Sequence, residues 1–424
     1  MTSPNFMPDT PAGSKAWLIV GLLWVVAALN YMDRLMVTTM RDSLTAAIPM
    51  TDAQFGLLSS VFLWVYGLFS PFAGFLADRF NRSRMIIVSL FIWSLLTWLT
   101  GHARSFEQLL VVRALMGMSE AVYIPAALAL ITDYHRGPTR SLATGIHMTG
   151  ISVGSALGGL GGWMAERHGW SAAFDLFGLL GIGYAVVLAL MLKDAPLDTR
   201  DEVSAAAAPR QARLGEALRS LFGSRAFLVL LAFWSLLGAA GWAVIGWMPT
   251  FLKENFHLAQ GAAGIVATAY LDTSGLFGRL IGGAWADRWS RTQPRARSLV
   301  PALGMFLAAP SVLLVAQSSL LAFAIAGLSL YGLTRGFSDA NVMPILCQIS
   351  DPRYRATGYG VLNMFGTIVG GITIYIGGAM RDAQVNVSML FTGAAAGLLG
   401  CAVLLMCVKQ RDAVTHCGSR DLSR

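Results

Sequence analysis

The sequence predicts an all-α polytopic membrane protein of 12 transmembrane helices, arranged as two pseudo-symmetric six-helix bundles. Three observations carry that expectation. The 424-residue chain is 55% hydrophobic and only 13% charged, too apolar for a soluble domain of ordinary make-up. Its apolar residues fall into runs of about 20, the length that crosses a bilayer. The two halves of the chain also repeat a charged motif in the same register.

Taken in order, the first six spans are expected at 16–40, 53–77, 85–102, 106–132, 141–164 and 172–192. The last six are expected at 226–252, 259–286, 298–316, 319–349, 356–379 and 386–408. The domain plan is therefore a bundle over 1–192, a cytoplasmic linker over 193–225, a second bundle over 226–409 and a cytoplasmic tail over 410–424. Within the linker, Arg213 to Phe222 has amphipathic spacing, which suits either a short helix on the membrane surface or a solvated linker.

The N-terminus is polar, lacks a basic n-region, and leads into an apolar stretch too long for a cleaved signal. It is expected to remain as the first span. The net charge of +8 comes from basic residues in short loops, so no nucleic-acid partner is expected. Arg41, Arg104, Arg167, Lys253 and Arg381 fall on one side, and Arg34, Arg113, Arg279 and Arg335 fall within spans. The remaining 22 of the 31 Lys and Arg lie on the side of the termini. That asymmetry places both ends in the cytoplasm and the chain in the cell (inner) membrane.

Cys347, Cys401, Cys407 and Cys417 show no CxxC or His-linked spacing, so neither a disulfide framework nor a metal site is expected. There is no Walker loop or HExxH, and no cofactor or enzymatic constellation is expected. Gly150-Ile151-Ser152-Val153-Gly154 matches GxSxG formally, but a nucleophile elbow needs a preceding strand. Gly150, Gly154, Gly158 and Gly162 instead form a small-residue stripe for close helix packing. His147 reads as a structural histidine with a possible titrating role.

The costly residues lie in span 1. Within Asn30-Tyr31-Met32-Asp33-Arg34, Asp33 and Arg34 fall inside an apolar segment, where each charge costs roughly 3 kcal/mol. Span 4 supplies partners in Arg113 and Glu120, seven residues apart and thus on one helical face. The four charges sum to zero. An arriving carboxylate would leave one excess negative charge, and protonation of Glu120 or Asp33 would restore neutrality and free an Arg fork. Two structural ion pairs that merely close the bundle are the alternative.

The repeat gives the architecture a name. Gly74-Phe75-Leu76-Ala77-Asp78-Arg79-Phe80-Asn81-Arg82 after span 2 matches Gly283-Ala284-Trp285-Ala286-Asp287-Arg288-Trp289-Ser290-Arg291 after span 8. Ala143-Thr144-Gly145 and Ala356-Thr357-Gly358 form a second echo. The first pair resembles the signature loop of the major facilitator superfamily, with Asn81 and Ser290 at the usual second glycine. That resemblance implies alternating access and a cytoplasmic gate made by Gly74, Asp78, Arg79 and Arg82 with Gly283, Asp287, Arg288 and Arg291.

Within that superfamily, the Asn30–Arg34 and Arg113–Ala121 runs resemble the anion:cation symporters, which move sugar acids with protons, and also the Spinster branch, which handles lysolipids. The symporter resemblance implies a small organic anion and protons as partners. Arg34 and Arg113 would then be substrate cations, with Glu120 and Asp33 as coupling acids. Tyr31 and Tyr66 resemble substrate-contacting positions, as do Asn363 and Thr367, although packing explains each of them too. In span 10, Arg335 and Asp339 are in pairing register, a pair that would present Ser338 and Asn341 to the cavity. Arg279 is expected at the gate, and Asp272 is a weaker proton-site candidate. Gly159 stands where drug antiporters place proline, which disfavours antiport. A monomer in a lipid bilayer is expected.

Overall fold

The computed structural model describes residues 13–135, 139–195, 214–293, 295–351 and 354–408. Most of the expected linker, 196–213, and the expected tail, 410–424, lie outside the described residues, as do the side chains of Asp78 and Arg79 and the surroundings of Gly74.

The first six spans are α1 (Ser14–Thr39), α3 (Asp52–Arg79), α4 (Arg82–Gly101), the pair α5 (Phe106–Glu120) and α6 (Tyr123–Tyr134), the pair α7 (Arg140–Leu157) and α8 (Leu160–His168), and α9 (Trp170–Met191). The short α2 (Arg41–Ala47) links spans 1 and 2. After α10 (Leu214–Phe222) come α11 (Arg225–Phe256), α12 (Gln260–Trp289), α13 (Ala296–Gln317), α14 (Leu321–Ile349), α15 (Arg355–Asp382) and α16 (Val387–Cys407). The observed ends fall within a few residues of those the hydropathy pattern gives.

Nine of these spans are apolar enough to cross a membrane by length and composition alone. The other three, α7–α8, α12 and α14, carry glycine, serine and charge in the interior. Of these, Ser152, Ser155, Thr334 and Ser338 are buried, while Arg279 and Asp339 stay part-exposed.

Local sequence explains where helices start and break. Thr51 and Gln54 form a reciprocal capping box at α3, with bonds of 3.2 and 2.9 Å. Asn81, Ser105, Ser224 and Asn386 cap α4, α5, α11 and α16 with side-chain oxygens. Span 4 is interrupted at Ala121 and Val122, just ahead of Pro125, which lacks the N–H that would continue the ladder. Span 5 breaks at Gly158 and Gly159. There the Gly158 N–H is shared between the carbonyls of Gly154 and Ser155, at 3.0 and 3.1 Å.

The glycine stripe is packing surface. A Cβ at Gly154 would come 2.7 Å from the Cα of Ala28, so α1 and α7 touch backbone to backbone. At Gly159 it would come 2.7 Å from the Cα of Ile265, which makes this glycine a contact between the first and last six spans. α10 buries Ala217 and Leu221, and Leu221 lies against Gly358 of α15. Its apolar face is therefore covered by protein.

The two six-span halves are fastened at one end. Arg41 donates to Asp52 at 2.6 Å, and Asp52 also accepts from Arg381 at 2.9 Å. Arg381 forks onto Glu254 at 2.7 and 2.8 Å, and Lys253 pairs with Asp42. The Asp382 carboxylate accepts from the backbone N–H groups of Asp52 and Ala53 at the α3 N-terminus, at 2.8 and 2.9 Å. Gln260 bridges to Ser43, and Glu166 accepts from the Gly261 N–H.

Deeper in, Ser60 donates to the Gly371 carbonyl at 2.6 Å, Trp64 to Ile368 at 3.1 Å and Thr268 to Ala156 at 2.9 Å. Arg279 donates to Ser152 about midway along α12. Nearer the 80–82 end, no hydrogen bond between described residues joins the halves.

Candidate functional site

In the C-terminal half of α1, Asn30, Asp33 and Arg34 are all buried. The Arg34 Nη2 donates to Glu120 Oε2 at 3.0 Å, with side chains 3% and 0% exposed. Aromatic faces surround this guanidinium: its Cζ lies 4.6 Å from the Tyr31 ring centre, 4.9 Å from Phe62 and 4.5 Å from Tyr66. An Arg stacked on tyrosines keeps its planar fork oriented while its charge remains available. Tyr66 is itself buried, and Tyr31 is partly open.

Arg113 takes a different position. Its Cζ lies 4.7 Å from the Phe62 ring centre, and it donates to the Leu58 carbonyl at 3.4 Å and to Met116 Sδ at 3.2 Å. It forms no ion pair among the described residues, although Glu120 and Asp33 are within its electrostatic reach. Asp33 accepts from the Thr97 hydroxyl at 3.2 Å. One oxygen each of Asp33 and Glu120 is buried with no hydrogen-bond partner. Carboxylate oxygens left unsatisfied in a dry interior are costly, and a proton or an incoming hydrogen-bond donor removes that cost.

The expected pairing in span 10 is not the one formed. Asp339 bonds Arg279 of α12 at 3.3 Å, while Arg335 turns toward α11, its guanidinium 3.0 Å from where a Gly241 Cβ would stand. The reason is close packing: at Gly336 a Cβ would meet the backbone of Gly275 and Arg279 at 2.7 Å, so α12 brings Arg279 to Asp339 first. Arg279, expected at the gate, is thereby held between Asp339 and Ser152. Asp272 lies within electrostatic reach of Arg279, Arg335 and Asp339.

The neutral groups divide. Asn341 is buried and donates to the carbonyls of Gly282 and Phe337, at 3.3 and 2.9 Å. Thr367 donates to Asn363 and Met364 within its own helix. Ser338 is buried with its hydroxyl unpartnered, and Asn363 is partly open. Asn341 and Thr367 thus spend their polar groups inside helix packing, so the expected presentation of Asn341 by an Arg335–Asp339 pair does not occur here. His147 is buried against Tyr123, ring centres 5.9 Å apart.

Tyr359 of α15 was not singled out by sequence. It is 40% exposed and lies within electrostatic reach of Tyr31, Tyr66 and Asp339. A lone tyrosine near the start of an apolar span carries no sequence signal of that placement.

Near the 80–82 end, Arg82 pairs with Asp133, and Asp287 pairs with Arg297 at 3.1 Å. Both contacts stay within one half. Arg288 and Arg291 are exposed, and Gly283 lies open beside Ala340.

Twelve spans in two halves around buried charges are the architecture of a polytopic membrane transporter. The Major Facilitator Superfamily model matches residues 23–374 and 235–416, and the chain belongs to that family. It is 26% identical over 415 residues to an MFS-type efflux pump of Mycolicibacterium smegmatis, covering 96% of this chain and 94% of the relative. It is also 26% identical to a probable sulfoacetate transporter of Cupriavidus necator, covering 92% and 93%. A gallate transporter of Pseudomonas putida is likewise 26% identical, covering 92% and 90%. Among solved structures, a bacterial homologue of the lysosomal transporter Spinster, inward-facing and unoccupied, superposes with a TM-score of 0.74 at 22% identity, covering 93% of this chain and 96% of that one.

Proposed function

We propose that this protein is a proton-coupled symporter of a small organic anion of the sugar-acid type, working as a monomer by alternating access. The observation that carries the reading is the buried Arg34–Glu120 pair, with Asp33 and Arg113 beside it outside any ion pair. A carboxylate that takes over the Arg34 fork releases Glu120, and a buried carboxylate without its cation takes up a proton. Anion and proton then enter together and the site stays neutral. Two of the relatives bear the names of organic-acid transporters, which supports this substrate class.

In this reading Arg34 and Arg113 hold the carboxylate, Tyr31 and Tyr66 frame it, and Glu120 and Asp33 carry the proton. Asn363, Ser338, Asn341 and Thr367 contribute after rearrangement of spans 10 and 11. The working units are the bundles 1–192 and 226–409, joined by the 193–225 linker and followed by the 410–424 tail. Both termini are cytoplasmic in the inner membrane. Gly74, Asp78, Arg79, Arg82, Gly283, Asp287, Arg288 and Arg291 close the cytoplasmic gate when the fastened end opens.

The test is uptake into proteoliposomes. An outside-acid gradient is expected to drive accumulation of a sugar acid such as gluconate or glucuronate; uptake indifferent to that gradient rejects symport. Efflux, the activity named for the mycobacterial relative, predicts the opposite dependence on gradient direction. A Spinster-like lysolipid transporter is the second reading. It is favoured by the withdrawal of Asn341 and Thr367 into packing, which leaves fewer groups for sugar hydroxyls. Thermal stabilisation by lysolipid and not by sugar acids would select it.

A further inference from the structure

The charged site has a counterpart in the other half. In the first half one Arg is paired (Arg34 with Glu120) while Arg113 and Asp33 stand outside ion pairs. In the last six spans one Arg is likewise paired (Arg279 with Asp339) while Arg335 and Asp272 stand outside ion pairs among the described residues. Each set sums to zero. Neither half therefore needs the other for charge balance, and a structural role for one set does not require the second.

Arg335 is the unusual member. It projects from α14 toward α11, where Gly241 leaves room for its guanidinium. Its Nε is buried without a hydrogen-bond partner among the described residues, with the Tyr331 hydroxyl as a polar neighbour. A buried guanidinium N–H that lacks an acceptor costs free energy that a bound anion would recover. The Arg279–Asp339 pair beside it is more accessible than its counterpart, at 34% and 23% side-chain exposure. Arg279 also donates to Ser152 of α7, so the second charged set reaches the first half.

We propose that Arg335, assisted by Arg279, is a second anion anchor, and that the preferred substrate is a dianion with an acid group at each end. One end engages Arg34 and Arg113 in the first half, and the other engages Arg335 in the second. This rests on the organic-anion reading above and narrows it from monoanions to diacids. Two separate monoanions in the same space would repel one another, whereas one molecule that spans both anchors adds its second contact at little further entropic cost. Bridging the halves also ties substrate binding to their relative motion.

The test compares ligands that differ in one acid group: glucarate against gluconate, and sulfoacetate against acetate, binding to the purified full-length protein. In at least one pair the dianion is expected to bind at least about tenfold more tightly. Arg335→Gln is expected to reduce that preference to less than about threefold, and Arg335→Lys, which keeps charge without the fork, to leave an intermediate preference. Melting of the unliganded variants checks folding, and if Arg335→Gln does not fold, Arg335→Lys carries the comparison.

Equal binding of dianion and monoanion in both pairs overturns the proposal, as does a preference that survives in the Arg335 variants. In either case, loss of gluconate or acetate binding in Arg34→Gln would leave the organic-anion reading standing. If none of the four anions binds, both readings fall.

Discussion

Arg381 on α15 and Asp52 on α3 meet at 2.9 Å across the two halves, and each holds a second partner, Glu254 and Arg41 respectively. Asp52 is also the first residue of its helix, where a negative charge is favoured and where its own N–H is taken by Asp382. This one contact therefore gathers the starts of α2 and α3 and the C-terminal turns of α11 and α15.

Removing it is expected to loosen the fastened end. Hydrogen bonds to charged groups at partly buried positions contribute about 1.5–3 kcal/mol, enough to shift a two-state equilibrium roughly tenfold or more toward opening. In Asp52→Asn, a cysteine placed at Ser43 in a background without the native cysteines is expected to react faster with an impermeant thiol reagent. Unchanged labelling would mean that the apolar contacts along α3 and α15 hold this end closed on their own.

Glu120→Gln cannot exchange a proton but preserves shape and one hydrogen-bond acceptor for Arg34. Concentrative uptake is expected to fall to background while counterflow exchange persists. A Glu120→Gln protein that still accumulates substrate would transfer the coupling role to Asp33.

Arg34→Lys keeps the charge yet loses both the planar fork and the stack on Tyr31, Phe62 and Tyr66. Substrate affinity is expected to fall by about tenfold or more, since a bidentate charged contact reduces to a single point charge. Direct binding to purified protein measures this, and unaltered affinity would show that the fork is not what holds the anion.

Gly154→Ala places a methyl against the Ala28 backbone, where nothing flexible can yield. Overpacking of this kind costs about 1–3 kcal/mol, so a lower melting temperature in detergent is expected. Gly21→Ala, on α1 with open space around it, is the control and should melt no lower than the parent.

The sequence by itself determined the number of spans, their ends to within a few residues, the repeat and the four charges of spans 1 and 4. These are local properties: hydropathy sets which segments enter the bilayer, and an ionised side chain in an apolar run stands out without any knowledge of its neighbours. Partner choice was decided only by tertiary structure. Spacing along α14 put Asp339 within reach of Arg335, but the glycine contact between α12 and α14 gave Asp339 to Arg279 instead. Spacing along span 4 likewise placed Arg113 and Glu120 on one face, and it was the approach of α1 that let Arg34 take Glu120. The approach of Tyr359 to Tyr31 and Tyr66, and of Arg41 and Asp52 to Glu254 and Arg381, joins residues more than a hundred positions apart. Their meeting depends on how the helices pack, a property no single span encodes.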